Sequence, residues 1–324
     1  MATIRQRQNR WQVIVKQKGY PNQSKTFDLK KDAEKWGRHQ ERLMDAGQWI
    51  DRSEADQTTL KTVLERYARE VSCHKGGAAV EAIRINALKR SSLAQYVMSS
   101  ITGQLIAEYR DSRLLKVSGS TVTRELQILS HVFTVAIREW SFGLHSNPVS
   151  LIRKPKVGPP RDRVLTADQR QALITTCNQC QNPWVKPVVI FALETATRRG
   201  EILTLHWGAI DLQRCTAKVT GKTGSRTIPL SQACVNMLKE LPRNMNGIVF
   251  PISIETLKQA YQRAINRAGI TNFTFHDLRH DALTRLAKIG LNILELRAIS
   301  GHTTANMLQR YVSIDPEELA KKIA

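Results

Sequence analysis

No stretch of this sequence strings together the roughly 18 apolar residues that a membrane-spanning helix needs. The opening MATIRQRQNRW likewise lacks the apolar centre of a secretory leader. Cysteine is scarce: five are scattered at Cys73, Cys177, Cys180, Cys215 and Cys234, and an odd number without a leader fits a reducing compartment. Cys177 and Cys180 make one CxxC, but no second pair or neighbouring histidine completes a zinc site. They fall in a helical pattern and read as buried or idle thiols. No carboxylate cluster suggests a divalent metal, and no cofactor is expected. Internal repeats and low-complexity tracts are missing too. A soluble intracellular protein with no membrane partner is the expectation.

Acidic residues are also few, with 28 Asp and Glu against 49 Lys and Arg, which leaves a net charge of +21. Such an excess repels itself in the folded state, so a polyanionic partner is the natural explanation. The charge is spread along the chain. Residues 1–54 carry 12 basic and 7 acidic side chains, residues 55–160 carry 15 and 8, and residues 161–324 carry 22 and 13. A single basic tail on a neutral enzyme is therefore excluded. The hydrophobic share of 41% supports real cores, and 324 residues suit two or three domains.

The first 28 residues alternate as strands do, with Trp11, Val13 and Val15 on one face, and Asn9-Arg10 and Gly19–Asn22 read as turns. From Leu29 the period becomes helical, with Ala33, Trp36 and Leu43 facing a core and Gly47 near the end. A small sheet plus one helix over 1–54 follows, and Asp51–Glu54 reads as a connector. Residues 55–152 read as a helical domain. One helix opens at Thr58-Thr59 with Leu60, Val63, Leu64 and Tyr67 at helical spacing, and others span Ile101–Arg110 and Ser120–Trp140. Three prolines, a glycine and several basic residues make 153–162 a linker. Such a cationic linker between two basic domains suits a protein that encircles a duplex, or it is simply solvated. Beyond it, 163–324 reads as mostly helical, with a capping box at Thr166–Gln169 and one hairpin, Ala217–Val219 to Arg226–Leu230.

Four segments of this last region could carry chemistry. Glu194–Leu203 places Arg198 and Arg199 at a helix boundary before Glu201, and a guanidinium held by that acid can clamp phosphate oxygens. Gly221-Lys222-Thr223-Gly224 puts a lysine on the hairpin turn, able to reach a groove, donate a proton or merely face water. In Thr274–His280, His276 and Arg279 share a helix face, and a Thr274/Asp277 capping pattern puts His276 in the first turn, where anions are favoured. Finally, Tyr311 follows His302 by nine residues. On one helix those two would point to opposite faces, so a break between them is required if both act.

Arginine, hairpin lysine, HxLRH, GH and tyrosine, in this order, resemble the signature of the tyrosine recombinase (phage integrase) family. The wording of RKPK…RDR, ALETATR and ISGH…NMLQRY resembles shufflon-type DNA invertases within it. By that resemblance the catalytic set is Arg198, Lys222, His276, Arg279, His302 and the nucleophile Tyr311, while Arg199 is a bystander and His280 is structural. One departure is Ala196, where many members have glycine.

The resemblance also implies an arm-type DNA-binding domain over 1–54, a core-binding domain over 55–152 and a catalytic domain over 163–324. The fold expected is mainly α with small β elements. Arg5, Arg7, Lys16, Arg153, Lys154, Lys156 and Arg161 are candidate DNA contacts. Double-stranded DNA at specific sites is the implied partner, bound by a homotetramer with accessory DNA-bending proteins as possible helpers, in the cytoplasm of a prokaryotic host. The implied reaction proceeds through a 3′-phosphotyrosine and a four-way junction. The rivals are a type IB topoisomerase and a catalytically idle DNA-binding regulator.

Overall fold

The structure is a computed structural model, and it describes residues 2–156, 158, 163–221 and 224–312. The chain divides into two compact units, Met1–Pro159 and Pro160–Ala324. Each is mainly α with small β elements, as the sequence predicts.

The first unit opens with an antiparallel sheet in the order β1 (Ala2–Arg7), β2 (Arg10–Val15), β3 (Gln23–Phe27). The β1–β2 turn lies at Gln8-Asn9, one residue earlier than expected. Both residues have left-handed backbones (φ 47° and 61°), the conformation that matches the twist of a tight hairpin. Val13 and Val15 are fully buried against Ala33 and Met44 of α1 (Lys30–Asp45). Met44 thus takes the inner position expected for Leu43, because the buried face follows Ala33, Gly37 and Met44.

Ser53 and Glu54 do not belong to a connector but open a short helix, α2 (Ser53–Gln57), since Asp51 Oδ1 accepts the Ser53 N–H at 2.9 Å. Four longer helices follow: α3 (Leu60–Glu70), α4 (Ala78–Lys89), α5 (Gly103–Leu114) and α6 (Gly119–Arg138). Thr59 and Ser118 cap α3 and α6 through their hydroxyls. Leu60, Val63, Leu64 and Tyr67 of α3 share one core with Leu126, Leu129, Val132, Phe133 and Ala136 of α6. Each such aliphatic side chain contributes roughly 1.5–3 kcal/mol by leaving water.

In the second unit, α7 (Ala167–Asn178) starts at the expected capping box. α8 (Val185–Thr195) buries residues on every side, from Val188 and Val189 to Phe191 and Leu193, so it forms the centre. After α9 (Arg199–Leu203) come β4 (Ile210–Asp211), β5 (Thr216–Gly221) and β6 (Gly224–Pro229), paired antiparallel in that order. Helices α10 (Gln232–Glu240), α11 (Ile254–Arg267), α12 (Asp277–Lys288) and α13 (Ile293–Ser300) complete it. Among the described residues no helix is long and apolar enough to cross a membrane.

Candidate active site

The site grows from helix ends. α8 stops at Ala196, whose left-handed backbone (φ 53°) turns the chain outward, and whose carbonyl accepts Arg279 Nη1 at 2.8 Å. Arg279 lies in the first turn of α12 and is only 2% exposed. Its Nη2 donates to the Ser300 carbonyl at 2.7 Å. Arg198, the cap of α9, donates Nη2 to the Gly301 carbonyl at 3.3 Å and Nη1 to Glu201 at 3.0 Å. Arg226 sits on the buried face of β6 with Val219 opposite, and its Nε donates to the Ile299 carbonyl at 2.7 Å. Three guanidiniums therefore take three successive carbonyls at the end of α13. Those carbonyls lack helical partners and carry the negative end of the helix dipole, so cations belong there.

Glu201 ties this group together. Arg226 reaches both of its oxygens, at 2.9 and 2.8 Å, and the Arg198 backbone N–H donates to it at 2.9 Å. Burial alone would raise its carboxyl. The hydrogen bonds from Arg226 and Arg198 outweigh that effect and hold it down at about 2. Two glycines make room. A Cβ on Gly221 would lie 2.7 Å from Glu201 Oε1, and one on Gly301, already at φ 65°, would lie 3.0 Å from Arg226. One carboxylate for three arginines leaves an excess of positive charge. Burial and the neighbouring Arg198 both pull Arg279 below its ordinary pKa, so an anion placed here would be strongly favoured.

Two imidazoles border the arginines. His302 bonds Ser300 Oγ at 2.7 Å and has Arg279 Nη2 3.4 Å from its ring nitrogens. Burial, then Arg279 and Arg198, push its pKa down to about 4, so it is neutral at physiological pH. His276 is the residue before α12, one position earlier than the first turn expected for it. Asp277 accepts from Thr274 N and Oγ1, so only half of the reciprocal cap forms. Its ring lines a cavity of about 370 Å³ together with Arg279, Thr197, Lys258 and Tyr261. Burial and Arg279 lower its pKa.

Tyr311 meets this group from the far side of a break. α13 ends at Gly301, and short 3-10 turns at Ala305–Met307 and Gln309–Tyr311 replace the helix that would have separated His302 from the phenol. Tyr311 is 5% exposed, and its hydroxyl is hydrogen-bonded to His280 Nδ1 and to Arg310 Nη2, the latter at 2.6 Å. His280 in turn meets His276 edge-on, with centroids 5.1 Å apart. The phenol is close enough to Arg279 to act on its charge.

Arg198, Arg279 and His302 are thus brought together, and His276 and Tyr311 are linked to them through Arg279 and His280. Lys222 lies outside the described residues, as does Arg161. Arg5, Arg7 and Lys16 are exposed on or just after the first sheet. Arg153, Lys154 and Lys156 are exposed, although the Arg153 carbonyl accepts Arg110 of α5 at 2.9 Å. Sequence reading overlooked Arg226 and Arg310 as contributors, and it gave His280 a structural role. Arg226 had a signal, namely a charge on the strand face that also carries Ala217, Val219 and Ile228. His280 had a weaker one, being one turn from His276.

A cage of arginines and histidines beside a held tyrosine is the arrangement expected of tyrosine recombinases. Residues 163–318 match the phage integrase family. A shufflon-specific DNA recombinase of Escherichia coli is 40% identical over 276 residues, 82% of this chain and 71% of that protein. A putative integrase/recombinase of Haemophilus influenzae is 30% identical, over 95% of this chain and 86% of its own. The fold is similar to that of lambda integrase in a tetramer bound to a Holliday junction (TM-score 0.69, 20% identity, 94% of this chain and 93% of that one). The chain belongs to the phage integrase family.

Proposed function

We propose that this protein is a site-specific DNA recombinase that cuts and rejoins DNA through a 3′-phosphotyrosine. The observation that carries the reading is the set of arginines, held by the end of α13, with excess positive charge beside the Tyr311 phenol. Attack on a phosphodiester builds negative charge on its non-bridging oxygens. Arg198, Arg279 and His302 are preset donors for that charge, usually the largest catalytic effect. Tyr311 Oη forms the new bond to phosphorus, and the 5′ oxygen leaves with a proton for which Lys222 is the donor. His276, beside Arg279, completes the set. The phosphotyrosine keeps the ester energy, so rejoining needs no external energy source. Four copies working on two duplexes through a four-way junction is the proposed assembly, acting in the cytoplasm of a prokaryotic host. The exposed arginines and lysines of the first unit are proposed DNA contacts, positioning the chain through phosphates.

The test uses plasmids carrying pairs of segments from the DNA that flanks the coding sequence. Inverted or excised products that vanish with Tyr311→Phe support the reading. Efficient relaxation of a supercoiled plasmid without those segments, and no rearranged product, would favour a topoisomerase instead.

A further inference from the structure

Two residues that touch the Tyr311 hydroxyl, His280 and Arg310, are not among the six that the family resemblance assigns. The phenol hydroxyl is hydrogen-bonded to His280 Nδ1, and the two rings stack with centroids 5.8 Å apart at 25°. Arg310 straddles the pair, with Nη2 2.6 Å from the phenol oxygen and 2.7 Å from His280 Nδ1. Its guanidinium also lies over the tyrosine ring, 4.8 Å from the centroid. His276 makes no side-chain hydrogen bond among the described residues, and it meets His280 only edge-on.

The geometry points to His280 as the proton acceptor for Tyr311, with Arg310 holding the phenolate as it forms. This rests on the reading of Tyr311 as the nucleophile. In the forward step the O–H bond of Tyr311 breaks, its proton joins His280 Nδ1, and the oxygen's electron pair forms the bond to phosphorus. The 5′ oxygen departs with the proton of a separate acid, so atoms and charge balance. In the reverse step His280 returns its proton to the leaving phenol.

The charges around the imidazole keep it in its neutral form. The groups that bear on His280 are Arg310, His276, Asp277, Arg279 and Tyr311. Burial first, then Arg310 and His276, hold its pKa down to about 4. The ring is therefore neutral at physiological pH, the form that can take a proton. Arg310 stabilises the negative oxygen and disfavours a lasting imidazolium, which keeps the proton available for return. His276 is left to work beside Arg279 on the phosphate.

The experiment follows covalent complex formation in single turnover on nicked duplexes from the flanking DNA, in which the cleaved strand cannot rejoin. His280→Asn keeps a polar group near the tyrosine but cannot take its proton. We expect it to slow adduct formation by on the order of 10²-fold, with unchanged melting temperature and DNA affinity. The slowed rate should climb with pH as hydroxide substitutes for the base. His280→Ala should be slow as well and partly restored by added imidazole. Adduct formation by His280→Asn within about threefold of the unaltered protein overturns the proposal, as does a slow His280→Ala that imidazole leaves unchanged. Adduct formation by Tyr311→Phe would instead overturn the parent reading.

Discussion

Around the end of α13 the three arginines are held by main-chain carbonyls and one buried carboxylate, whereas Tyr311 is held by two side chains on a short turn. The arginines themselves come from the cap of α9, from β6 and from α12, elements that bury Ile202, Ile228 and Leu278 in the large core. Ala196 and α13, which supply the carbonyls, pack instead in a small separate cluster. Tyr311 belongs to that small cluster, with Ala196, Ala282, Leu283, Leu296 and Leu308. Backbone carbonyls cannot rotate away without unwinding a helix. A phenol can turn about two side-chain bonds once its partners release it. The phosphate end is thus prebuilt, and the nucleophile end is the part that can be switched.

If the arginine end is prebuilt for an oxyanion, Arg198→Ala should lower single-turnover cleavage by on the order of 10²–10³-fold. Its side chain is 34% exposed, so stability should hardly move, and a melting curve beside the kinetics separates the two effects. A comparable loss of stability would mean that Arg198 is structural. Glu201→Gln should do the opposite. It leaves Arg198 and Arg226 without their buried counter-charge, and urea unfolding should register a loss of about 3–5 kcal/mol. A loss well under about 1 kcal/mol would show that the carbonyls alone hold the arginines.

Acid should weaken both ends through their histidines. His280 and His302 are lowered from 6.5 to about 4, so between those values the unfolded chain takes up protons that the folded chain refuses. Stability should fall as pH drops from 6.5 toward 4, and His302→Asn should flatten the slope. Glu201 stays ionised throughout that window, since its carboxyl lies at about 2. Thermal unfolding at several pH values checks this, and a flat profile for the unaltered protein would contradict it. The smallest effect concerns Ala196. Glycine would relieve its left-handed backbone but remove a methyl buried in the small cluster, so Ala196→Gly should shift stability by less than about 1 kcal/mol.

Elements whose signal is local could be read from the sequence. Leu60, Val63, Leu64 and Tyr67 repeat at the helical period and are buried, and the hairpin read over Ala217–Val219 and Arg226–Leu230 forms, with Ala217 paired to Ile228. The need for a break between His302 and Tyr311 was legible as well, from spacing alone. The meeting of Arg198, Arg226 and Arg279 on carbonyls 299–301 was not. It depends on tertiary packing of segments far apart in the chain, and carbonyl acceptors leave no trace in side-chain patterns. The contact of His280, read as structural, with Tyr311 was hidden for the same reason, because the two lie 31 residues apart. Local patterns also misjudged Leu43, where one residue of phase decides which side chain faces the sheet.

The most direct measurement is to digest a trapped protein–DNA complex and find the modified peptide by mass spectrometry. A nucleotide 3′-phosphate on Tyr311, absent from the Arg198→Ala protein at matched short times, is the predicted result. A phosphate attached to any other residue, or no adduct at all from a flanking duplex that the protein recombines, would contradict it.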